Sequence, residues 1–139
     1  QEELSDFLTG EKYIDVIPHG QYIGYEPRNK WIKPSIVVMS ESNYSDAHLF
    51  PLAYKIKEGG RTLGMPVPGT GTFVWWEQQI DPSLVYGIPM GGWRTLDGKF
   101  AENNQMEPDI RVPLEPEVMT SGRDQQIEEA VKELLKQLE

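Results

Sequence analysis

The feature that most constrains the fold is a strand–turn–helix pattern in residues 34–64 of the chain. The run from Ile36 to Met39 is rich in β-branched residues and predicts a buried strand. A polar cluster, SESN, follows it, and the Ser45–Asp46 pair after that is typical of a helix start. Apolar residues then recur at near-helical spacing until two consecutive glycines stop the helix. The stretch therefore predicts a strand, a tight turn and a helix, with a serine at the turn.

The position of Ser45 permits two interpretations. A serine in front of a helix commonly caps it, because the hydroxyl accepts a hydrogen bond from an unpaired N–H of the first turn. The same unpaired N–H groups, together with the positive end of the helix dipole, could instead hold an oxyanion beside a serine nucleophile. Spacing alone favours the cap and leaves the nucleophile open.

The rest of the chain predicts one α/β domain of 139 residues. Residues 1–33 are interpreted as a helix end, a strand and a connector, and residues 65–120 as a β-rich part. Within the latter, residues 73–79 and 84–90 form a predicted strand pair, with one of the adjacent Trp75 and Trp76 expected in the core. Residues 121–139 predict an amphipathic helix with Asp124 as its cap. Its apolar face is expected to be core, with a partner interface as the less favoured alternative: Ile127, Ala130, Val131, Leu134, Leu135 and Leu138.

Composition excludes several classes of function. A formal net charge of −9 disfavours nucleic acid as a partner, because phosphate backbones require a basic surface. No apolar run reaches the ~20 residues of a membrane span. The chain has no cysteine, and its two histidines show no metal-ligand spacing, so neither a metal site nor another cofactor is expected.

Three stretches in order carry a resemblance to a known family. Residues 40–72 resemble the nucleophile segment of the tail-specific, or C-terminal-processing, serine peptidases, and are most similar to their tricorn-like branch. Two later stretches resemble further signatures of that family: DG, EN and PDI at residues 97–98, 102–103 and 108–110, and GRDQQI at residues 122–127. The resemblance covers about residues 34–139 and implies a mixed α/β sheet of the ClpP/crotonase-like kind.

The resemblance also implies roles for individual residues. Ser45 corresponds to the nucleophile, the backbone N–H of Asp46 to an oxyanion donor, and Glu102 to the glutamate that supports the catalytic histidine. The lysine of the Ser-Lys branch corresponds to Thr70, which favours the histidine-dependent tricorn-like branch. That histidine lies upstream in the family, so we expect the base to be absent from this chain. His48 follows Ser45 by three residues but is not expected to reach it productively, and His19 lies in a loop of undetermined position.

The expectation is therefore the C-terminal part of a serine endopeptidase domain that forms an acyl-enzyme at Ser45 and is inactive by itself. Expected partners are a peptide or protein substrate, the upstream part of the same catalytic domain and a second copy of the chain. The compartment stays open, with the bacterial periplasm favoured over the cytoplasm. Two alternatives remain: a degenerate peptidase fragment that serves as a peptide-binding or interaction module, and a crotonase-like domain without peptidase activity.

Overall fold

The computed structural model describes residues 2–31 and 33–138, which form four helices, seven short strands and one 3-10 turn at Pro18–Gly20. The helices are α1 (Glu2–Thr9), α2 (Asp46–Ile56), α3 (Pro116–Thr120) and α4 (Gln125–Leu135). The strands are β1 (Ile14–Val16), β2 (Gly24–Glu26), β3 (Ile36–Met39), β4 (Arg61–Gly64), β5 (Thr72–Gln78), β6 (Val85–Gly92) and β7 (Ile110–Arg111). Across these two ranges, no helix combines the length and the apolarity that crossing a membrane would require.

A three-stranded parallel sheet in the order β3-β4-β7 forms the centre of the structure. Met39 pairs with Gly64 and Leu63 with Ile110, and α2 connects β3 to β4 along the chain. The predicted α/β class and strand–turn–helix unit are therefore observed. The ClpP/crotonase-like mixed sheet stays a prediction, because in the described residues β1–β2 and β5–β6 form antiparallel pairs separate from the parallel sheet. Both pairs are local hairpins that do not continue the hydrogen bonding of the parallel sheet.

The core lies between α2 and the parallel sheet. Met39, Val67 and Met106 are buried against one another, and Leu52 of α2 packs on them. Tyr54 is fully buried, and its hydroxyl lies 2.8 Å from the Ser35 hydroxyl, so its polar tip is satisfied inside the core. Burial of each such side chain stabilises the fold by about 1.5–3 kcal/mol. The core therefore fixes the end of β3, from which the chain enters the turn before Ser45.

Helix α2 runs through Pro51 without interruption, although a proline inside a helix ordinarily kinks or breaks it. A proline has no N–H, so the carbonyl four residues earlier, that of Ala47, loses its helical donor. The side chain of Asn43 replaces that donor, because its Nδ2 lies 2.8 Å from the Ala47 carbonyl oxygen. The hydrogen bond that the helix lacks is thus supplied from the turn in front of it.

Asp109, in the family-like PDI signature, ties β4 to the segment that leads into β7. Its Oδ2 accepts hydrogen bonds from the Thr62 amide at 2.8 Å and the Thr62 hydroxyl at 2.9 Å, and its Oδ1 pairs with Lys55 at 2.6 Å. Burial alone would raise the pKa of this carboxyl, but the hydrogen bonds from Lys55 and Thr62 outweigh it and hold the pKa below its usual value. The Asp109 carboxylate is therefore a structural crosslink between helix, sheet and loop.

Helix α4 is capped as predicted but does not bury the predicted face. Asp124 Oδ1 accepts from the amides of Gln126 and Ile127, at 2.9 and 3.0 Å. The buried residues of the helix are Gln126, Ala130 and Glu133, and the Gln126 side chain donates to the Val112 carbonyl. Four of the residues expected in the core are exposed instead: Ile127, Val131, Leu135 and Leu138. The prediction is wrong at these four because the helix meets β3 and β4 with its smaller and polar side chains, leaving an apolar stripe uncovered.

The β5–β6 hairpin exposes large apolar side chains on both faces. Trp75 and Trp76 are 57% and 65% exposed, so the expectation that one of them lies in the core is also wrong. Further exposed apolar residues follow on both strands and at the tip: Phe73, Ile80, Leu84, Val85, Tyr86, Ile88 and Met90. A two-stranded hairpin is only marginally stable in water when nothing packs against it. The hairpin therefore has the composition of a structural element that packs on another surface.

Candidate active site around Ser45

The turn between β3 and α2 is held together by Asn43. Its Oδ1 accepts from both the amide and the hydroxyl of Ser40, each at 3.2 Å, while its Nδ2 binds the Ala47 carbonyl in α2. One amide side chain thus connects the end of the strand to the first turn of the helix. This connection fixes the direction from which the chain enters Ser45.

Ser45 lies directly in front of α2, at the strand–helix junction that the sequence predicted. Its backbone has φ 54° and ψ −120°, which is outside the extended conformation usual for a helix cap. Its side chain makes no capping hydrogen bond to the helix. A positive φ at a non-glycine residue costs of order 1–3 kcal/mol and is concentrated at functional sites. The simple capping interpretation therefore does not describe Ser45, and its role as a nucleophile stays a prediction.

Asp46 is the first residue of α2, and its backbone N–H belongs to the set that a helix start leaves unpaired. Among residues 2–31 and 33–138, this N–H has no acceptor. The amides of the next two positions, Ala47 and His48, bind the carbonyls of Tyr44 and Ser45 at 3.0 and 2.9 Å. The Asp46 N–H is thus a free donor adjacent to the Ser45 side chain, as an oxyanion donor must be.

The Gly- and Pro-rich loop of residues 66–71 contacts Ser45 through Thr70. The Ser45 amide donates to Thr70 Oγ1 at 3.2 Å, and the Thr70 amide donates to His48 Nδ1 at 3.2 Å. The position that the resemblance assigns to the lysine of the Ser-Lys branch is therefore beside Ser45. A threonine hydroxyl at this position cannot act as the general base that a lysine amine provides.

Glu102 is held by the next threonine of the same segment. Thr72, the first residue of β5, donates from its hydroxyl to Glu102 Oε2 at 2.7 Å. Asn103 donates its amide to the Gly69 carbonyl at 3.0 Å, which fixes the backbone directly after Glu102. The half-buried Glu102 lines a concave surface of about 430 Å³ with Thr72, Pro89, Gly91, Gly92, Phe100 and Asn103. Thr70 thus binds Ser45, and Thr72, two positions further along the same segment, binds Glu102. Ser45 and Glu102 do not hydrogen-bond each other directly.

The two histidines have different environments, and neither imidazole hydrogen-bonds Ser45. His48 is 1% exposed, its Nδ1 is occupied by the Thr70 amide, and burial lowers its pKa from the usual 6.5. A smaller influence in the opposite direction comes from the Glu102 charge. His19 is exposed in the short turn that connects β1 to β2.

Sequence reasoning missed the roles of Asn43 and Thr72, and it named Thr70 only as the counterpart of the family's lysine. All three act through hydrogen bonds to the predicted residues or to the helix that follows them. The available signals were an asparagine in the polar turn after a strand and threonines alternating with glycine in PVPGTGT. Such patterns indicate turn chemistry, but they do not indicate which distant residue the side chain will bind. That information depends on how the loop packs between α2 and residues 101–104.

Comparison with known proteins assigns the chain to a peptidase family. The model of peptidase family S41 matches residues 3–112, and the chain belongs to that family. In the solved structure of the tricorn protease, the match covers 99% of this chain with a TM-score of 0.83 and 22% identity. In the photosystem II D1 C-terminal processing protease it covers 83%, with a TM-score of 0.56 and 16% identity. The resemblance to tail-specific peptidases of the tricorn type is confirmed at the level of family and fold.

The matched proteins are much longer than this chain. A protein of Chlamydia pneumoniae is 26% identical over 97% of the chain, but the match spans only 23% of that relative. The same chain spans 14% of the tricorn protease and 30% of the D1 processing protease. Because the chain spans less than a third of each of these proteins, the activity of a whole peptidase does not transfer to it directly.

Proposed function

We propose that this chain supplies the nucleophile part of a serine peptidase domain, in which Ser45 forms an acyl-enzyme with a peptide or protein substrate. The observation that carries the proposal is the strained, uncapped backbone of Ser45 beside the free Asp46 amide. Nucleophilic attack by serine requires a hydroxyl that is not engaged elsewhere and a donor aimed at the developing oxyanion. Membership of family S41 supports the same chemistry.

The general base comes, in this proposal, from an upstream segment of the same catalytic domain. His48 presents Nδ1 to Thr70, and its pKa is lowered by burial, so it is not arranged to take the Ser45 proton. Glu102 orients the incoming histidine, because its second oxygen remains available when Oε2 holds the Thr72 hydroxyl. The assembled domain has the ClpP/crotonase-like fold. It acts on polypeptide substrates, as the name of the similar D1 C-terminal processing protease states for that protein.

The uncovered apolar surfaces favour the upstream part of the catalytic domain as a partner. Beside β3, an outer strand of the described sheet, lies an apolar groove lined by Phe7, Leu8, Trp31, Ser35, Ile36, Val37, Val38 and Phe50. An outer strand exposes unpaired backbone groups that readily pair with another strand. The exposed stripe of α4 and the β5–β6 hairpin add further apolar area. In isolation the chain covers part of this surface by forming a two-fold dimer. The compartment proposed for the assembled protein is the bacterial periplasm.

A complementation experiment tests this function. The 139-residue chain is incubated with a serine-directed phosphonate and a fluorogenic peptide, alone and after addition of the separately expressed upstream segment. We expect neither labelling nor turnover by the chain alone, because acyl transfer needs a base within about 2.6–3.2 Å. Both should appear on complementation. Labelling of Ser45 and turnover without the upstream segment would contradict the missing base, and failure of the complemented protein would favour the interaction-module alternative.

Glu102 provides a second, independent prediction. In the complemented peptidase, Glu102→Gln keeps the size of the side chain and removes its charge, so the catalytic histidine loses its orienting partner. We expect kcat to fall on the order of 10²–10⁴-fold with little change in KM. The matched control is Glu107→Gln, an exposed carboxylate five residues further along the same segment. Equal kinetics for the two variants would remove Glu102 from the site.

A further inference from the structure

We propose that His48 is a positioning residue of the Ser45 site, which holds Thr70 through its ring nitrogen so that Thr70 can hold the backbone of Ser45. This inference rests on the proposed role of Ser45 as the nucleophile. In the sequence, His48 was considered only as a possible general base for Ser45. The inference gives it a different function. Two hydrogen bonds, both on residues of the described structure, carry it.

The first step is the contact between the helix and the loop. His48, in the first turn of α2, is 1% exposed, and its Nδ1 accepts from the Thr70 amide at 3.2 Å. Thr70 is 22 residues away along the chain. An Nδ1 that accepts an N–H must be unprotonated, so the imidazole is neutral with its proton on Nε2. Because the two ring nitrogens point in different directions, the same imidazole cannot serve Ser45 through Nδ1 while it holds Thr70.

The second step is the contact between the loop and the nucleophile. Thr70 Oγ1 accepts the Ser45 amide at 3.2 Å, at the residue whose φ is 54°. Helix α2 fixes the carbonyl side of Ser45, because that carbonyl accepts from the amides of His48 and Leu49. With both sides of the residue held, rotation about its N–Cα bond towards an ordinary φ would break the hydrogen bond to Thr70. The two hydrogen bonds, from Thr70 to His48 and from Ser45 to Thr70, together form a clamp on Ser45. This clamp opposes relaxation of the strained conformation that keeps the Ser45 hydroxyl out of the capping position.

The third step is the dependence of the clamp on protonation. Burial lowers the pKa of His48 below 6.5, so the ring is neutral and the clamp closed at pH 7. A depressed histidine pKa means that the charged ring is disfavoured in the fold, so stability is lost as the pH falls from about 6.5 through the folded pKa. Besides Glu102, the charged groups around the concave surface that His48 lines are Lys55 from α2 and, from residues 94–107, Arg94, Asp97, Lys99 and Glu107.

The kinetic test compares two variants of His48 in the complemented peptidase. Asparagine places an amide oxygen near the position of Nδ1, so His48→Asn keeps an acceptor for Thr70 that does not titrate near neutral pH. His48→Leu removes the acceptor. We expect His48→Leu to lower kcat about tenfold or more with KM within about twofold, and His48→Asn to restore most of that loss. His48→Asn should also remove the loss of activity that protonation of His48 causes in the wild-type pH profile. Equal losses in the two variants, or an unchanged kcat in His48→Leu, would overturn the proposal.

A spectroscopic test separates this inference from the proposed peptidase activity. In the ¹⁵N-labelled 139-residue chain, the ring shifts of His48 should report the Nε2–H tautomer at pH 7, and the Thr70 and Ser45 amide shifts should titrate together with His48. The same titration is absent in His48→Asn. If the amides of Thr70 and Ser45 do not respond to His48, the clamp is wrong whatever the activity. If they respond but the complemented protein is inactive, the clamp stands and the peptidase assignment fails.

Discussion

Ser45→Ala is expected to lower kcat of the complemented peptidase on the order of 10⁴–10⁶-fold and to abolish labelling by a serine-directed phosphonate. Loss of the nucleophile removes the covalent route, and only substrate binding and oxyanion stabilisation remain. The replacement removes one hydroxyl that makes no capping hydrogen bond in the structure, so folding should change little. Steady-state kinetics and mass spectrometry of the labelled chain measure the two effects, and circular dichroism checks the fold.

Ser42→Ala is the matched control for this experiment. Ser42 lies in the same turn three residues earlier and is exposed. Its backbone amide donates to Ser40 Oγ at 3.3 Å, a hydrogen bond that does not involve the Ser42 side chain. Its replacement should leave both turnover and labelling unchanged. Full activity in Ser45→Ala, or a phosphonate adduct on Ser42, would show that the nucleophile has been assigned to the wrong residue.

Gly64→Ala should lower the free energy of unfolding on the order of 4 kcal/mol or more, because the replacement combines a steric clash with backbone strain. Gly64 has a φ of 121°, and a Cβ at this position would lie 2.0 Å from the Met39 carbonyl oxygen of the adjacent strand. That carbonyl also accepts the Met65 amide at 2.9 Å, so neither strand can move aside without losing the pairing of β3 with β4. Urea denaturation followed by tryptophan fluorescence measures the difference in unfolding free energy.

Gly98→Ala distinguishes the clash from backbone strain. Gly98 has a positive φ of 90°, but a Cβ there would meet no atom within 4 Å. Its replacement should cost about 1–3 kcal/mol, the range for a strained backbone alone. If the two variants lose equal stability, the close approach of β3 and β4 at Gly64 is not the controlling interaction.

Local patterns were sufficient to predict the elements around the candidate site. The β-branched run of β3, the polar turn and the helix start at Ser45–Asp46 each depend on neighbours within a few residues, and all three are observed. The Asp124 cap is of the same kind, because its hydrogen bonds reach only two and three residues ahead. The hairpin of β5 and β6 was predicted within two residues at each end.

Packing between distant segments could not be predicted in the same way. The apolar stripe of α4 has the spacing of a core helix, yet the side that contacts the sheet carries Gln126, Ala130 and Glu133. Periodicity states that a face will be covered and does not state whether this chain or another polypeptide covers it. Trp75 and Trp76 were misplaced for the same reason, because alternation along a strand presupposes that one face packs on the chain itself.

The hydrogen-bond partners of the site residues lay equally beyond sequence reasoning. Thr70 reaches Ser45 across 25 positions, and Thr72 reaches Glu102 across 30. Gly69 and Gly71, on either side of Thr70, permit close approach to residues 101–104, where a Cβ would collide with backbone atoms or with the Ala101 side chain. The family resemblance named Ser45 and Glu102 and placed Thr70 at the lysine position, but it did not indicate that Thr70 and Thr72 hold them by hydrogen bonds.

Asn43 donates the hydrogen bond that Pro51, which has no N–H, cannot donate to the Ala47 carbonyl. This replacement links two residues that are eight positions apart. A chain that keeps the proline needs an amide or another donor at position 43 to occupy the Ala47 carbonyl. A chain that loses the proline regains the helical donor, and position 43 then needs only the acceptor that binds Ser40. The two positions should therefore change together among relatives, and the spacing Asn-x-Ser-x-Ala-x-x-x-Pro should tolerate neither insertion nor deletion. That fixed spacing, rather than the serine alone, is the pattern by which sequences sharing this turn can be recognised.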